Sequence, residues 1–208
     1  MRRALVTAVA LLLFTLPAFA LPWTTVATQV SKSISYLNGP QGKCTAFTID
    51  AAKDYVLTAG HCEQLSAGVS VMRVGGLPST VVFQDEKKDL LVLRVEGDEH
   101  PALKLAAENP SIGEHVASYG YGYALGRPLF RTAYVSDDLF DASEYQVGPG
   151  PYIAVDNSFI GGQSGGPVVN ANGEVVAIVQ MGAEGLGFGV GAKTIKDKVG
   201  KYFSKDTN

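Results

Sequence analysis

Gly162-Gln163-Ser164-Gly165-Gly166-Pro167 is the segment best fitted to covalent chemistry. A serine hydroxyl is a weak nucleophile until a neighbouring base takes its proton. Glycines on either side let the backbone turn tightly, so that its N–H groups can point at a developing oxyanion. A Gly-rich turn that merely holds a serine has the same composition, so the segment needs partners. Thr58-Ala59-Gly60-His61-Cys62 offers a base. Histidine takes and returns a proton near neutral pH. A lone histidine at a strand end is commonly structural, but here the next residue is one of only two cysteines, which would pin the loop. Asp89 opens the apolar run Leu90-Leu91-Val92-Leu93. A carboxylate there could accept a proton from His61 Nδ1 and hold the ring in the productive tautomer. Asp85 and Glu86 share its turn and could make it one more solvated acid; Asp89 is preferred because it touches the strand. Asp156, near Ser164 in sequence, is the rival acid.

The elements that must position these residues read as short strands. Residues 45–49, 55–58, 69–74, 80–83 and 90–95 are rich in β-branched and aromatic side chains, with Gly, Pro, Asp or Lys between them. A second set follows at 115–118, 130–135, 152–155, 167–169, 175–179 and 186–190. The polar, Pro-bearing stretch 97–113 between the sets reads as an interlobe linker. Residues 21–43 read as an extended lead-in with a turn at Gly39-Pro40-Gln41-Gly42. Only the tail has helical spacing, with Ile195, Val199 and Phe203 four apart. The fold class is all-β, a sandwich or barrel.

The 208 residues suit one sizeable domain or two lobes sharing a core. A net charge of −3 gives no basic excess, so nucleic acid is not an expected partner. Residues 1–20 read as a signal peptide: Arg2 and Arg3, an apolar run from Ala4 to Leu16, then Ala18-Phe19-Ala20. The uncharged run from Ala4 to Trp23 could instead anchor the chain, but Pro17 and the Ala-x-Ala site favour cleavage. Loss of Arg2 and Arg3 takes the charge from −3 to −5. No later stretch could span a membrane. In an exported chain Cys44 and Cys62 suggest a disulfide, with a pair of buried thiols as the alternative. Two cysteines and three scattered histidines show no metal-ligand spacing, and no metal or other cofactor is expected.

The histidine and serine motifs resemble those of trypsin-like serine proteases, and residues 89–95 resemble their aspartate strand. The later segment is most similar to the bacterial HtrA-type protease domain. Tyr152-Ile153-Ala154-Val155-Asp156, Val168-Val169-Asn170-Ala171-Asn172-Gly173-Glu174 and Leu186-Gly187-Phe188-Gly189-Val190 carry that likeness. Pro101-Ala102-Leu103-Lys104-Leu105 and Gly113-Glu114-His115-Val116-Ala117 look like its interlobe connection, so the resemblance covers about residues 42–204.

The resemblance implies two six-stranded β-barrels with the site in the cleft between them and a short C-terminal helix. The lobes would be residues 21–100, carrying His61 and Asp89, and 101–208, carrying Ser164. It implies a His61, Asp89 and Ser164 triad, and an oxyanion hole from the Gly162 and Ser164 N–H groups. It implies a Cys44–Cys62 disulfide, a primary pocket based near Ser158 and Phe159, and a substrate strand pairing along Gln180, Met181 and Gly182. The expected activity is that of a secreted or periplasmic serine endopeptidase acting on polypeptides. Ser158 is neutral, so apolar or small residues are expected before the cleaved bond. Three departures stand out. Gly60 replaces the usual alanine, a mild change. Gln163 replaces an aspartate or asparagine, so an activation ion pair with a new N-terminus is not expected. No PDZ domain follows the last strand, and a monomer is expected.

Other readings fit less well. Gly162-x-Ser164-x-Gly166 also satisfies the nucleophile-elbow pattern of α/β-hydrolases, but there histidine follows serine, whereas His61, His100 and His115 all precede Ser164. A catalytically inactive protease-fold binding module is the alternative of a different class; this chain keeps all three candidate residues. Gly182, Gly185, Gly187 and Gly189 match no phosphate-loop spacing. They are read as opening a specificity pocket and letting a substrate backbone lie close.

Overall fold

In the computed structural model the described residues are 21–66, 72–122, 125–141 and 150–205; the signal-peptide reading of residues 1–20 lies outside them. The β-rich runs of the first half form β1 (Ile34–Gly39), β2 (Gly42–Asp50), β3 (Tyr55–Ala59), β4 (Arg73–Val74), β5 (Leu77–Pro78), β6 (Thr80–Asp85) and β7 (Leu90–Arg94). They make one sheet in the order β5-β4-β1-β2-β3-β7-β6. The second half supplies β8 (His115–Tyr121), β9 (Pro128–Phe140), β10 (Tyr152–Val155), β11 (Pro167–Val169), β12 (Val175–Ala183) and β13 (Leu186–Gly191). These close into a six-stranded barrel, β10-β13-β12-β11-β8-β9.

The all-β, two-lobed architecture is therefore as expected, with one difference. The second lobe is a closed barrel; the first is a seven-stranded sheet with β5 and β6 at its edges. β4 and β5 pair over only two residues each, Arg73 with Pro78 and Val74 with Leu77. Pro78 has no N–H to donate, so β5 is a poor template for further pairing.

A second difference lies in the lead-in. Residues 23–30 are not extended but form helix α1 (Trp23–Val30). Thr24, Thr25, Val26 and Thr28 are β-branched and favour extended backbone. Val26 and Val30 lie one turn apart and are fully buried, so tertiary packing overrides local preference. Trp23 Nε1 donates to His115 Nδ1 at 3.0 Å, which ties α1 to β8. The tail forms α2 (Ala192–Val199), with Ile195 and Val199 buried; Phe203 reaches the core beyond a short 3-10 turn.

The lobes share one core, where Phe47, Ile49, Leu57, Leu90 and Val92 meet Ala117, Val169, Val175, Ile178 and Val190. The linker is stitched to both. Leu103 N donates to Thr48 O at 2.9 Å, and Ala106 N to Val175 O at 2.9 Å. Loops carried by β3, β7, β11 and β12 are thereby held against one another across the cleft.

Candidate active site

The apolar strand β7 is buried over Leu90 to Leu93, which anchors Asp89 at its mouth. Asp89 adopts φ +54°, a left-handed conformation that Asp tolerates better than most side chains. Both carboxylate oxygens face the loop after β3. Oδ1 accepts the His61 N–H at 2.5 Å, and Oδ2 lies 2.7 Å from His61 Nδ1. The Asp89 carbonyl accepts Gly60 N–H at 2.9 Å. A Cβ on residue 60 would lie 2.9 Å from Asp89 Oδ1 and 3.0 Å from its carbonyl carbon. Gly60 is thus a close-approach residue, not a mild replacement for alanine. The rival acid is engaged elsewhere: Asp156 Oδ1 accepts Tyr134 N–H at 2.7 Å.

Tyr152, missed in the sequence, is buried beside Asp89; burial, then the Asp89 charge, push its phenol above the ordinary value. Lys88 Nζ donates to Gly150 O at 3.0 Å, bridging the lobes next to Asp89.

Cys44 and Cys62 form a disulfide with Cα atoms 6.1 Å apart, fastening β2 to the His61 loop. The cluster Cys44, His61 and Cys62 has the proximity of a metal site, but its two sulfurs are bonded to each other and offer no thiolate.

Ser164 is half-buried and its Oγ donates to Gln180 O at 3.0 Å. Gln180, 3% exposed, also sends Nε2 to the Asp89 carbonyl at 3.1 Å, so this residue of β12 reaches Asp89 with its side chain and Ser164 with its backbone carbonyl. The Gly162 and Ser164 N–H groups make no hydrogen bond among the described residues. Their neighbours are engaged: Gln163 N to Ile160 O at 3.1 Å, Gly165 N to Val179 O at 2.8 Å, Gly166 N to Gln163 O at 2.8 Å. Gly162 and Gly165 have φ +95° and +81°, which their lack of a Cβ permits. Gln163 is fully buried and its Oε1 accepts Ile160 N–H at 3.0 Å.

Ser158 and Phe159 lie beside β12, where the glycines admit close packing rather than open a gap. A Cβ on Gly182 would lie 2.2 Å from Phe159 O and 2.5 Å from Ser158 Oγ. Phe159 is 7% exposed and packs in the barrel core. Arg131 of β9, unremarked in the sequence, donates Nη1 to Ser158 O at 2.6 Å and Nη2 to Asn157 Oδ1. The wall near Ser158 therefore carries a cation. Met181 and Gly182 pair with β13 on one edge only; β11 pairs with β12 no further than Ile178.

A two-lobed β-fold, one lobe a seven-stranded sheet and the other a closed six-stranded barrel, defines a class, and the comparisons agree with it. The trypsin-like peptidase domain family matches residues 44–178. The chain belongs to that family. It is 33% identical over 160 residues to the "Probable periplasmic serine endoprotease DegP-like" of Hahella chejuensis, covering 67% of this chain and 30% of that protein. It is 26% identical over 159 residues to the periplasmic serine endoprotease DegP of Salmonella typhimurium, covering 72% and 33%. The chain thus spans about a third of these curated relatives. Among solved structures, Rv3671c of M. tuberculosis H37Rv superposes with TM-score 0.71 at 24% identity, covering 85% of this chain and 89% of that one. The serine endoprotease of Yersinia pestis gives 0.70 at 20% identity, covering 87% and 66%. At these identities the structures speak for the fold alone. No helix among the described residues is long and apolar enough to cross a membrane.

Proposed function

We propose that this protein is an exported serine endopeptidase in which Ser164 attacks, His61 moves the proton and Asp89 holds His61. The observation that carries the reading is the two-point grip of Asp89 on His61, through its N–H and Nδ1, in a trypsin-like peptidase domain. With Nδ1–H donated to Asp89, the other ring nitrogen is the basic one and is free to accept the Ser164 proton. Rotation of the Ser164 hydroxyl away from Gln180 O makes that transfer. Ser164 Oγ then bonds to the scissile carbonyl carbon, and the oxyanion takes the two unengaged N–H groups of Gly162 and Ser164. His61 returns the proton to the leaving amine. Water, deprotonated in the same way, releases the acyl group. The DegP-type relatives named as periplasmic endoproteases, together with the signal-like residues 1–20, support an exported location and a polypeptide substrate.

The substrate backbone adds along the open edge at Gln180, Met181 and Gly182. The side chain before the cleaved bond lies near Ser158 and Phe159. Ser158, Phe159 and Gly182 carry no carboxylate and Arg131 lies behind them, so Lys and Arg are disfavoured and apolar or small residues preferred. Profiling the chain from Leu21 against a peptide library tests this. Cleavage after apolar or small residues is expected, at equal rates with two extra N-terminal residues, and Ser164→Ala or His61→Ala should remove about 10⁴-fold or more of the turnover. Selective cleavage after Arg, or activity surviving Ser164→Ala, would overturn it.

A further inference from the structure

Thr45 is fully buried in β2, outside the motifs that carry the chemistry, yet every polar atom it has is turned on the site. Its hydroxyl donates to Gly162 O at 2.9 Å and accepts Tyr121 N–H at 2.8 Å. Its N–H donates to Ser164 O at 2.8 Å. Its carbonyl accepts the Thr58 hydroxyl at 2.8 Å, three residues before His61. One residue of the first lobe thus holds the carbonyls at both ends of the turn 162–164, whose two N–H groups stand unengaged. It also holds the end of β8 and the strand that leads to His61. Nearby glycines let the chain wrap this closely. A Cβ on Gly120 would lie 3.0 Å from Thr45 Oγ1, and one on Gly165 would lie 2.3 Å from Thr45 O.

We infer that Thr45 is the positioning residue of the oxyanion turn: its hydroxyl holds the Gly162 carbonyl and so fixes the Gly162–Gln163 peptide plane, which leaves Gly162 one anchored side from which its own N–H is presented. A glycine at φ +95° has no side chain to hold its orientation, so an external clamp must do so. The Thr45 N–H holds the Ser164 carbonyl, and with it the Ser164–Gly165 peptide plane, a bond that any residue at 45 could supply. The hydroxyl is the part that depends on the side chain. Valine at 45 has the same shape and no hydroxyl, which leaves the Gly162 carbonyl and the Tyr121 N–H buried without a partner. Serine keeps the hydroxyl and loses only a methyl group.

The inference rests on the reading that Ser164 acylates, and the test separates the two. Wild type, Thr45→Val, Thr45→Ala and Thr45→Ser are compared on one peptide substrate. A peptide aldehyde, whose hemiacetal oxygen occupies the oxyanion site, and the product peptide serve as inhibitors. Thr45→Val should lose kcat by about 10²-fold, the scale of a lost oxyanion donor, with KM within about twofold. The aldehyde should weaken by a similar factor and the product peptide should not, and Thr45→Ser should restore kcat to within about fivefold. If Thr45→Val and Thr45→Ala fold, melt lower and keep kcat and aldehyde affinity, Thr45 is structural and the inference is wrong. It is equally wrong if neither folds while Thr45→Ser behaves as wild type. A wild type that neither cleaves peptide nor binds the aldehyde overturns the proposed function itself, and this inference with it.

Discussion

At the scale of single residues, the decisive contrast is between two aspartates. Asp89 was favoured over Asp156 because it opens a buried strand, and the structure gives a physical reason to keep that order. Asp89 turns both carboxylate oxygens to His61, whereas Asp156 spends Oδ1 on the Tyr134 N–H. Asp89→Asn would present an amide N–H to a ring nitrogen that already carries its proton, forcing the wrong tautomer. Turnover should fall by about 10³- to 10⁴-fold. Asp156→Asn should stay within about threefold, because a neutral carboxamide oxygen can still accept the Tyr134 N–H. Steady-state kinetics of the two variants checks this; the reverse pattern would make Asp156 the acid. The sequence carried residue types well, since His61, Asp89 and Ser164 sit in local motifs. It carried partners poorly. Gly60 looked like a mild departure because its closeness to Asp89 is set 29 positions away in the chain. Thr45, Tyr152 and Arg131 make contacts between strands, and no local pattern marks those contacts; Gln180 was expected along the substrate strand, but not its bond to the Asp89 carbonyl.

At the scale of elements, strand content was legible and helix α1 was not. Strands β2, β3 and β12 are dense in β-branched and aromatic residues, and packing agrees with that preference; β7 is a leucine-rich apolar run buried on both faces. In α1 the two disagree: five β-branched residues argue for extension, but burying Val26 and Val30 on one face decides for helix. The glycines of β12 and β13 misled in the opposite sense. Gly182 and Gly187 admit the close approach of residues 157–159, not open space. The element with the clearest energetic consequence is the Cys44–Cys62 link, which closes a loop of sequence separation 18. By restricting the unfolded chain it should contribute about 3 kcal/mol. Denaturant unfolding of the Cys44→Ser, Cys62→Ser double variant should show that loss, with activity reduced because the His61 loop is no longer fastened to β2. Unchanged stability and rate would contradict it.

At the scale of the molecule, the site exists only because two lobes share a core. His61 and Asp89 lie on loops that flank β3 and β7 of the seven-stranded sheet, and Ser164, with the N–H groups proposed to hold the oxyanion, lies on the loop between β10 and β11 of the barrel. Few bonds cross between them at the site, and they are placed where alignment matters: Thr45 to Ser164 and Gly162, Gln180 to Asp89, Lys88 to Gly150. By the proposed mechanism, this alignment activates the hydroxyl of Ser164 among the many hydroxyls of the chain. The most direct measurement is intact mass and peptide mapping after exposure to a fluorophosphonate, which bonds to an activated serine and releases fluoride. One adduct per chain is predicted, on Ser164, formed at a rate that collapses in His61→Ala. No adduct, or an adduct on another residue with Ser164 unmodified, would contradict the account and favour a protease fold used for binding.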